Sequence, residues 1–498
     1  MKKIFVTLTI VTLLPYLLML SIATAESKTS NLCVHVNKVI IDKSGTYLCT
    51  KSGKQIIPKK VSTKDLSPKS NGNKVSAETI RGKVLAGYQG WFACPTDDTG
   101  PTWVHWFDYG KKPIISDLTV DFWPDTSEYS KYELCPTQMK SVSGKPMMAY
   151  SGYNPLVVNR HFSWMQQYNI DGAAFQRFVS RMSIPELYKH DVALLHNVTK
   201  AAEKYGRIYY FEYDLNGDEA PEKYVERIKS DWIARVDEGT TSSKAYIHEK
   251  GLPVVEIWGV GLPGVGTLKA SHIRNLIEFF KNPPNSKYRA TVAGGVGSYW
   301  RAGTGDGSPG EEWAAIYRSF DILNPWSVGR YGSIHVQEAQ TYLEDVVIGD
   351  IEETNNLGII YLPVIWPGSS WTNLQRNRGN EYESNMMPRF CGSFYWQQAA
   401  NVINAGAKQI FIAMFDEVDE GTAMYKMVTS SIDLPKNSLL LPLDVDGCLL
   451  NNDFYLRLSG ATTKAIREGA KITRELPIIL HENEDIADVD FTRGLEES

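Results

Sequence analysis

"QIFIAMFDEVDEGT", residues 409–422, passes from an apolar run into four carboxylates within five positions. The first half has the composition of a buried strand. The second half crowds like charges together, and each raises the cost of ionising the next. Which sheet this strand belongs to, and why acids gather at its end, decides how the whole chain is read.

Seven similar runs precede it: 83–92, 170–179, 207–215, 253–261, 290–297, 320–328 and 358–366. Amphipathic stretches such as "HNVTKAAEKYG" and "SHIRNLIEFFKN" lie between several of them. Eight alternating units over about 335 residues predict a (β/α)8 TIM barrel with long loop insertions. "KPMMAYSGYN" (145–154) would favour an open doubly wound sheet if it were a ninth strand; it reads as an extended loop segment.

The barrel is expected over 78–474. Residues 1–25 have two lysines, an apolar stretch and a small-x-small end at Ala23 and Ala25, the pattern of a secretory signal. The apolar run is long for a signal and leaves an uncleaved membrane anchor open. Residues 26–50 read as a small disulfide-closed hairpin. Residues 51–77, with seven lysines and no apolar period, read as a linker, and 475–498, with eight acids and one arginine, as an acidic tail. The expected location is extracellular or the secretory-pathway lumen, with no membrane contact once the signal is removed.

Without Lys2 and Lys3 the chain has 50 basic residues against 57 acidic ones, which argues against a nucleic-acid partner. The six cysteines are Cys33, Cys49, Cys94, Cys135, Cys391 and Cys448. An even count in an exported chain points to disulfides, and the absence of a C-x-x-C pair removes support for zinc. Sequence cannot choose among the fifteen pairings. Closeness along the chain favours Cys33–Cys49 and Cys94–Cys135, leaving Cys391–Cys448. The sequon at Asn197 fits an exported glycoprotein.

In a barrel the chemistry sits at the C-terminal ends of the strands. Those ends supply Tyr88, Gln89, Trp91, Gln176, Arg177, Glu212, Asp214, Trp258, Trp300, Arg301, Trp326 and Trp366, and finally Glu417 and Glu420. Aromatic faces stack on the C–H faces of sugar rings, while acids and amides bond hydroxyls. Glycoside cleavage needs two carboxyl groups, one protonated and one charged. Crowded acids separate two pKa values, because adjacent negative charge holds a proton on one of them. Glu417-x-x-Glu420 therefore reads as a catalytic pair at the mouth of a glycan-binding barrel. "GVGLPG" (259–264) matches the dinucleotide fingerprint, but Pro263 interrupts it and no acid ends the next strand. A non-catalytic glycan-binding barrel and a nicotinamide-dependent oxidoreductase are the alternatives. No metal and no cofactor are expected, and the partner is an oligo- or polysaccharide met by a monomer.

Over most of 83–470 the sequence resembles the glycoside hydrolases of families 71 and 99, and more closely the family 71/99-like proteins. The resemblance is carried by "GYQGWF", "DFWPDTSEY", "NRHFSWMQQYNIDGAAFQRF", "YDLNG", "GGVGSYWR", "NPWSVGRYG", "IWPGSSWTNL", "AMFDEVDEGTAMYK" and "YLRLSGATTKAIR". In the endo-α-mannosidases of family 99 the last strand carries W-N-E-W-H-E-G-T, which "FDEVDEGT" matches at Glu417 and Glu420. The resemblance implies a (β/α)8 barrel, a metal-free mechanism and an α-linked glycan, mannan or glucan, cut internally. It implies Glu417 as a base on the sugar's own 2-hydroxyl, giving a 1,2-anhydro intermediate and retention. It implies Glu420 as general acid and then general base. Family 71 α-1,3-glucanases keep an acid pair at this spacing but invert, so the stereochemical outcome stays open. The W-N-E-W-H core is F-D-E-V-D here, so that motif's Trp and His are replaced.

Overall fold

A computed structural model describes residues 39–42, 45–52, 55–61, 67–95, 103–217, 220–265, 268–332 and 336–486. The signal segment, Cys33 and the end of the acidic tail lie outside these residues. Among them, no helix is long and apolar enough to cross a membrane.

All eight apolar runs form parallel strands of one closed sheet. In chain order these are β4 (Val84–Tyr88), β7 (Gly172–Phe178), β8 (Ile208–Asp214), β10 (Leu252–Val260), β11 (Thr291–Gly297) and β12 (Ile322–Trp326). The seventh run supplies β13 (Ile360–Tyr361) and β14 (Val364–Ile365), and the eighth β15 (Ile410–Ile412). The pairing order is β13-β12-β11-β10-β8-β7-β4-β15-β14, with the short β9 (His248–Glu249) antiparallel to the start of β10. The seventh strand is split because Pro363 has no N–H to give to a ladder. Its first half pairs with β12, its second half with β15, and that double allegiance closes the ring. The strands are buried on both faces and read as continuous apolar runs, as parallel sheets do.

Helices cover the outside. Those at Pro155–Gln167, Pro185–Tyr205 and Pro221–Asp237 each begin with proline, whose missing N–H costs nothing in a first turn. The sequon lies inside the helix Pro185–Tyr205. The Asn197 side-chain amide donates to the Tyr153 carbonyl at 3.2 Å, so the nitrogen that would carry a glycan is engaged in the fold.

Three expectations are corrected. The stretch 51–77 is not linker throughout. β1 (Val39–Asp42), β2 (Gly45–Ser52) and β3 (Gln55–Val61) form an antiparallel sheet, and β3 pairs with β2 from Thr46–Val61 to Ser52–Gln55. Farther on, Asn71 N–H donates to Gln166, Val75 N–H to the Gly206 carbonyl, and the Tyr205 hydroxyl to the Pro68 carbonyl. The lysines hid this because strand pairing and backbone docking need no apolar period. Secondly, the segment read as an extended loop contains β6 (Pro146–Tyr150). It pairs antiparallel with β5 (Leu134–Lys140), outside the barrel, in the insertion after β4. The third correction concerns the strand ends and is taken up below. Cys94–Cys135 and Cys391–Cys448 are joined, with Cα atoms 6.5 and 6.1 Å apart. The pairing of Cys33 with Cys49 lies outside the described residues at its first half.

Candidate active site

The acidic turn after β15 is held from every side. The Asp416 carboxylate accepts the backbone N–H groups of Gln89 and Gly90, at 3.0 and 2.8 Å, tying the eighth strand's end to the first's. The Glu417 carbonyl accepts from Thr422 and Ala423, and the Glu420 carbonyl from Ser370. Arg389, buried, donates to the carbonyls of Gly421 and Ala423 at 2.7 and 2.8 Å. Gly421 has φ +70°, and a Cβ there would stand 2.5 Å from the Ser370 nitrogen. Only glycine satisfies both the left-handed turn and that approach.

Within this frame the two glutamates differ. Glu417 is 7% exposed. Its carboxylate accepts the Gln89 side-chain amide on one oxygen and the Thr422 hydroxyl, at 2.6 Å, on the other. Burial and the charges of Glu420 and Asp419 push its pKa up, while the Thr422 and Gln89 bonds pull it down. Glu420 faces a cleft of about 630 Å³ whose walls include Trp258, Trp326, Tyr299, Trp371 and Tyr382. Burial and Asp419 raise it to about 7, with Asp214 adding to the rise and Arg378 opposing it. Two buried carboxyls that repel each other share a proton over the neutral range. Both carboxyls are raised, and the two donors aimed at Glu417 oppose its rise.

Below this pair, polar side chains line the barrel interior. Gln176 donates to Glu212 at 2.9 Å, and Tyr210 to Glu256 at 2.6 Å. Burial and the neighbouring carboxylate raise Glu212, and burial raises Glu256 and Asp214 to about 7. Buried polar atoms without a protein partner converge here: Gln89 Oε1, Gln176 Oε1, Glu212 Oε2, Glu256 Oε1, Trp258 Nε1 and both amide atoms of Asn324. Atoms of this kind are costly to bury unless something bonds them. Trp258 and Trp326 meet edge to face at 5.3 Å at the rim.

Of the expected residues, Gln89, Trp91, Gln176, Glu212, Asp214, Trp258, Trp326, Glu417 and Glu420 are gathered at or just below the mouth. Five are not. Tyr88 points outward, its hydroxyl 3.1 Å from His161 Nδ1. Arg177 forms a two-bond pair with Asp231 of the outer helix, at 2.9 and 2.6 Å. Trp300 and Arg301 both donate to Asp350 of the helix Ile348–Leu357. Trp366 packs on Tyr331 and Phe394. For Tyr88 and Arg177 the reason is parity: successive strand residues face opposite sides, so a neighbour of an inward residue looks into the helical layer. Trp300, Arg301 and Trp366 lie past the ends of their strands, where alternation no longer holds. Glu256 and Asn324 were missed, though the same rule finds them two residues before Trp258 and Trp326. His105 was missed altogether. It stacks on Trp91 with ring centroids 3.6 Å apart, and Phe178 covers the other Trp91 face at 4.3 Å. Among the described residues the turn 259–264 opens onto no helix before the one that begins at Ala270, so the dinucleotide fingerprint lacks its helix N-terminus. A larger cavity of about 900 Å³ lies on the opposite, N-terminal face, among Lys250, Arg274, Lys281 and Arg289.

Fold and mouth define a (β/α)8 barrel with a carboxylate pair in an aromatic cleft at the strands' C-terminal ends. The architecture is that of the GH99 endo-alpha-mannosidase from Bacteroides thetaiotaomicron. That structure aligns with a TM-score of 0.55 at 16% identity, over 78% of this chain and 99% of the other. The same organism's enzyme in complex with Bis-Tris-propane aligns at 0.54 and 16%, over 78% and 98%. No family model and no curated protein matches the sequence.

Proposed function

We propose that the protein is a glycoside hydrolase that cleaves an α-linked glycan of mannan or glucan type internally, with Glu417 and Glu420 as the reacting pair. The observation that carries this is the asymmetry of the pair. Glu417 is gripped by two donors, while Glu420 is open to an aromatic cleft and is raised to about 7. The fold shared with an endo-α-mannosidase makes an α-mannan the first substrate to try.

In the first step Glu420 gives its proton to the leaving glycosidic oxygen as the C–O bond breaks. Charged Glu417 removes a proton from the attacking oxygen. In the retaining route that oxygen is the sugar's own 2-hydroxyl, and Glu420 then activates water as a base. In the inverting route it is water itself. Trp258 and Trp326 hold the ring, and the unpartnered atoms of Gln176, Glu212 and Asn324 take its hydroxyls. The test is release of oligosaccharides from α-mannans and α-glucans, with the anomer formed first read by NMR. Binding without release from any α-linked glycan would leave a glycan-binding barrel instead.

A further inference from the structure

His105 sits in the insertion between β4 and β5, beside an antiparallel bridge in which Ala93 and Val104 exchange hydrogen bonds at 3.1 Å. Its backbone is left-handed, φ +61°, which non-glycine residues adopt only when their surroundings hold them there. Its ring lies parallel to Trp91, and its Nδ1 is 3.2 Å from Asp419 Oδ2. Asp419 is 3% exposed, and its other oxygen has no protein partner. It stands in the turn between Glu417 and Glu420, and its charge bears on both.

We infer that His105 is a positioning residue which, through Asp419, sets the pH at which the Glu417/Glu420 pair gives up its proton. This rests on the function proposed above. The His105 N–H holds the Asp419 carboxylate in its place in the turn, and from there Asp419 raises both glutamates by repulsion. Burial lowers the His105 pKa, so the donor is the neutral ring; Asp419 and Asp191 oppose that shift and Arg181 adds to it. Asp214 and Arg378 also act on Glu420. Without the His105 contact the Asp419 carboxylate is free to turn away from the pair, its repulsion on them falls, and the pair releases its proton at lower pH.

The test uses His105→Phe, which keeps a ring over Trp91 and removes the N–H, and Asp419→Asn, which removes the charge. Two readouts are followed with pH. One is the alkaline limb of kcat/KM on α-mannan; the other is the protonated-carboxyl infrared band that Glu420→Gln abolishes. Each variant should move both downward by about one pH unit, the size of a single nearby charge. The double variant should move them no further, because the two residues act in series. A parent without glycosidase activity whose band still shifts would sink the proposed function and keep the coupling. Unmoved band and limb in Asp419→Asn, or in a folded His105→Phe, would overturn the coupling and leave His105 as packing on Trp91.

Discussion

Gln89 and Glu417 are 328 residues apart in sequence and joined by a side-chain hydrogen bond at the mouth of the barrel. One directly follows the first strand and the other the eighth, so closure of the ring sets the geometry of the candidate base. A hydrogen bond to a charged group contributes about 1.5–3 kcal/mol. Gln89→Leu should therefore lower kcat/KM about 10–100-fold at neutral pH. The acid limb of the profile should move upward, because the ionised Glu417 has lost a donor. An unchanged acid limb would mean that Glu417 is not the group that must be charged.

Asp214 gives a stability prediction with a defined sign. Burial raises its pKa to about 7 in the fold. In the unfolded chain it titrates near 3.9. Between these values the native state keeps a proton that the unfolded state has released, so stability falls as pH rises. Below the unfolded value the two states hold the proton equally and the full stability is present. Asp214→Asn should thus be more stable than the parent at pH 8, by up to about 4 kcal/mol, and indistinguishable at pH 3. Denaturant midpoints at the two pH values decide it; a gain at pH 3 would point to packing rather than charge.

Arg177 separates a structural residue from a site residue. Its partner Asp231 also accepts from the hydroxyls of Tyr188 and Tyr213, at 2.9 and 2.8 Å. Arg177→Met leaves the buried carboxylate with the two hydroxyls and Arg235 at 3.5 Å and should cost about 3 kcal/mol of stability, the lower end for a broken buried pair. KM for glycan should stay as it is in whatever protein remains folded. A raised KM at unchanged stability would return Arg177 to the mouth.

How much of this was legible follows from the kinds of signal involved. All eight strands were, because a buried parallel strand writes itself as an uninterrupted apolar run. The placement of Glu417 and Glu420 at the mouth was, because acids directly after such a run stand at a strand's C-terminal end. The sides of the strand ends were readable and misread: Gln176 and Arg177 are adjacent and must face opposite ways. Pro363 likewise announced the break in the seventh strand. His105 had no local signal, since its place over Trp91 and beside Asp419 depends on how a long insertion folds back. The docking of 67–75 was equally silent, resting on backbone groups and on Gln166, Tyr205 and Arg207.

That docking has a consequence for truncation. Arg207 donates to the Asn73 carbonyl at 3.0 Å, and Gln166 to the Ser70 hydroxyl and the Asn73 carbonyl, both at 3.0 Å. A chain starting at residue 67 should melt with the parent's barrel. One starting at residue 78 loses these acceptors, and a buried donor without a partner costs about 1–3 kcal/mol. Its melting temperature should fall by several degrees. Equal melting of the two would show the segment to be a passive overlay.

The most direct test of the central claim is the rate of Glu420→Gln on two α-linked substrates, one with a sugar leaving group and one with an acidic phenol. Glutamine keeps the shape but has no proton to deliver. On the sugar leaving group the rate should fall by about 10²–10⁴-fold, the usual contribution of general acid catalysis. On the phenol, which needs no proton to depart, the loss in the first step should be much smaller, with the fold and glycan binding intact. Near-parental hydrolysis of both substrates by a folded Glu420→Gln protein would contradict the account.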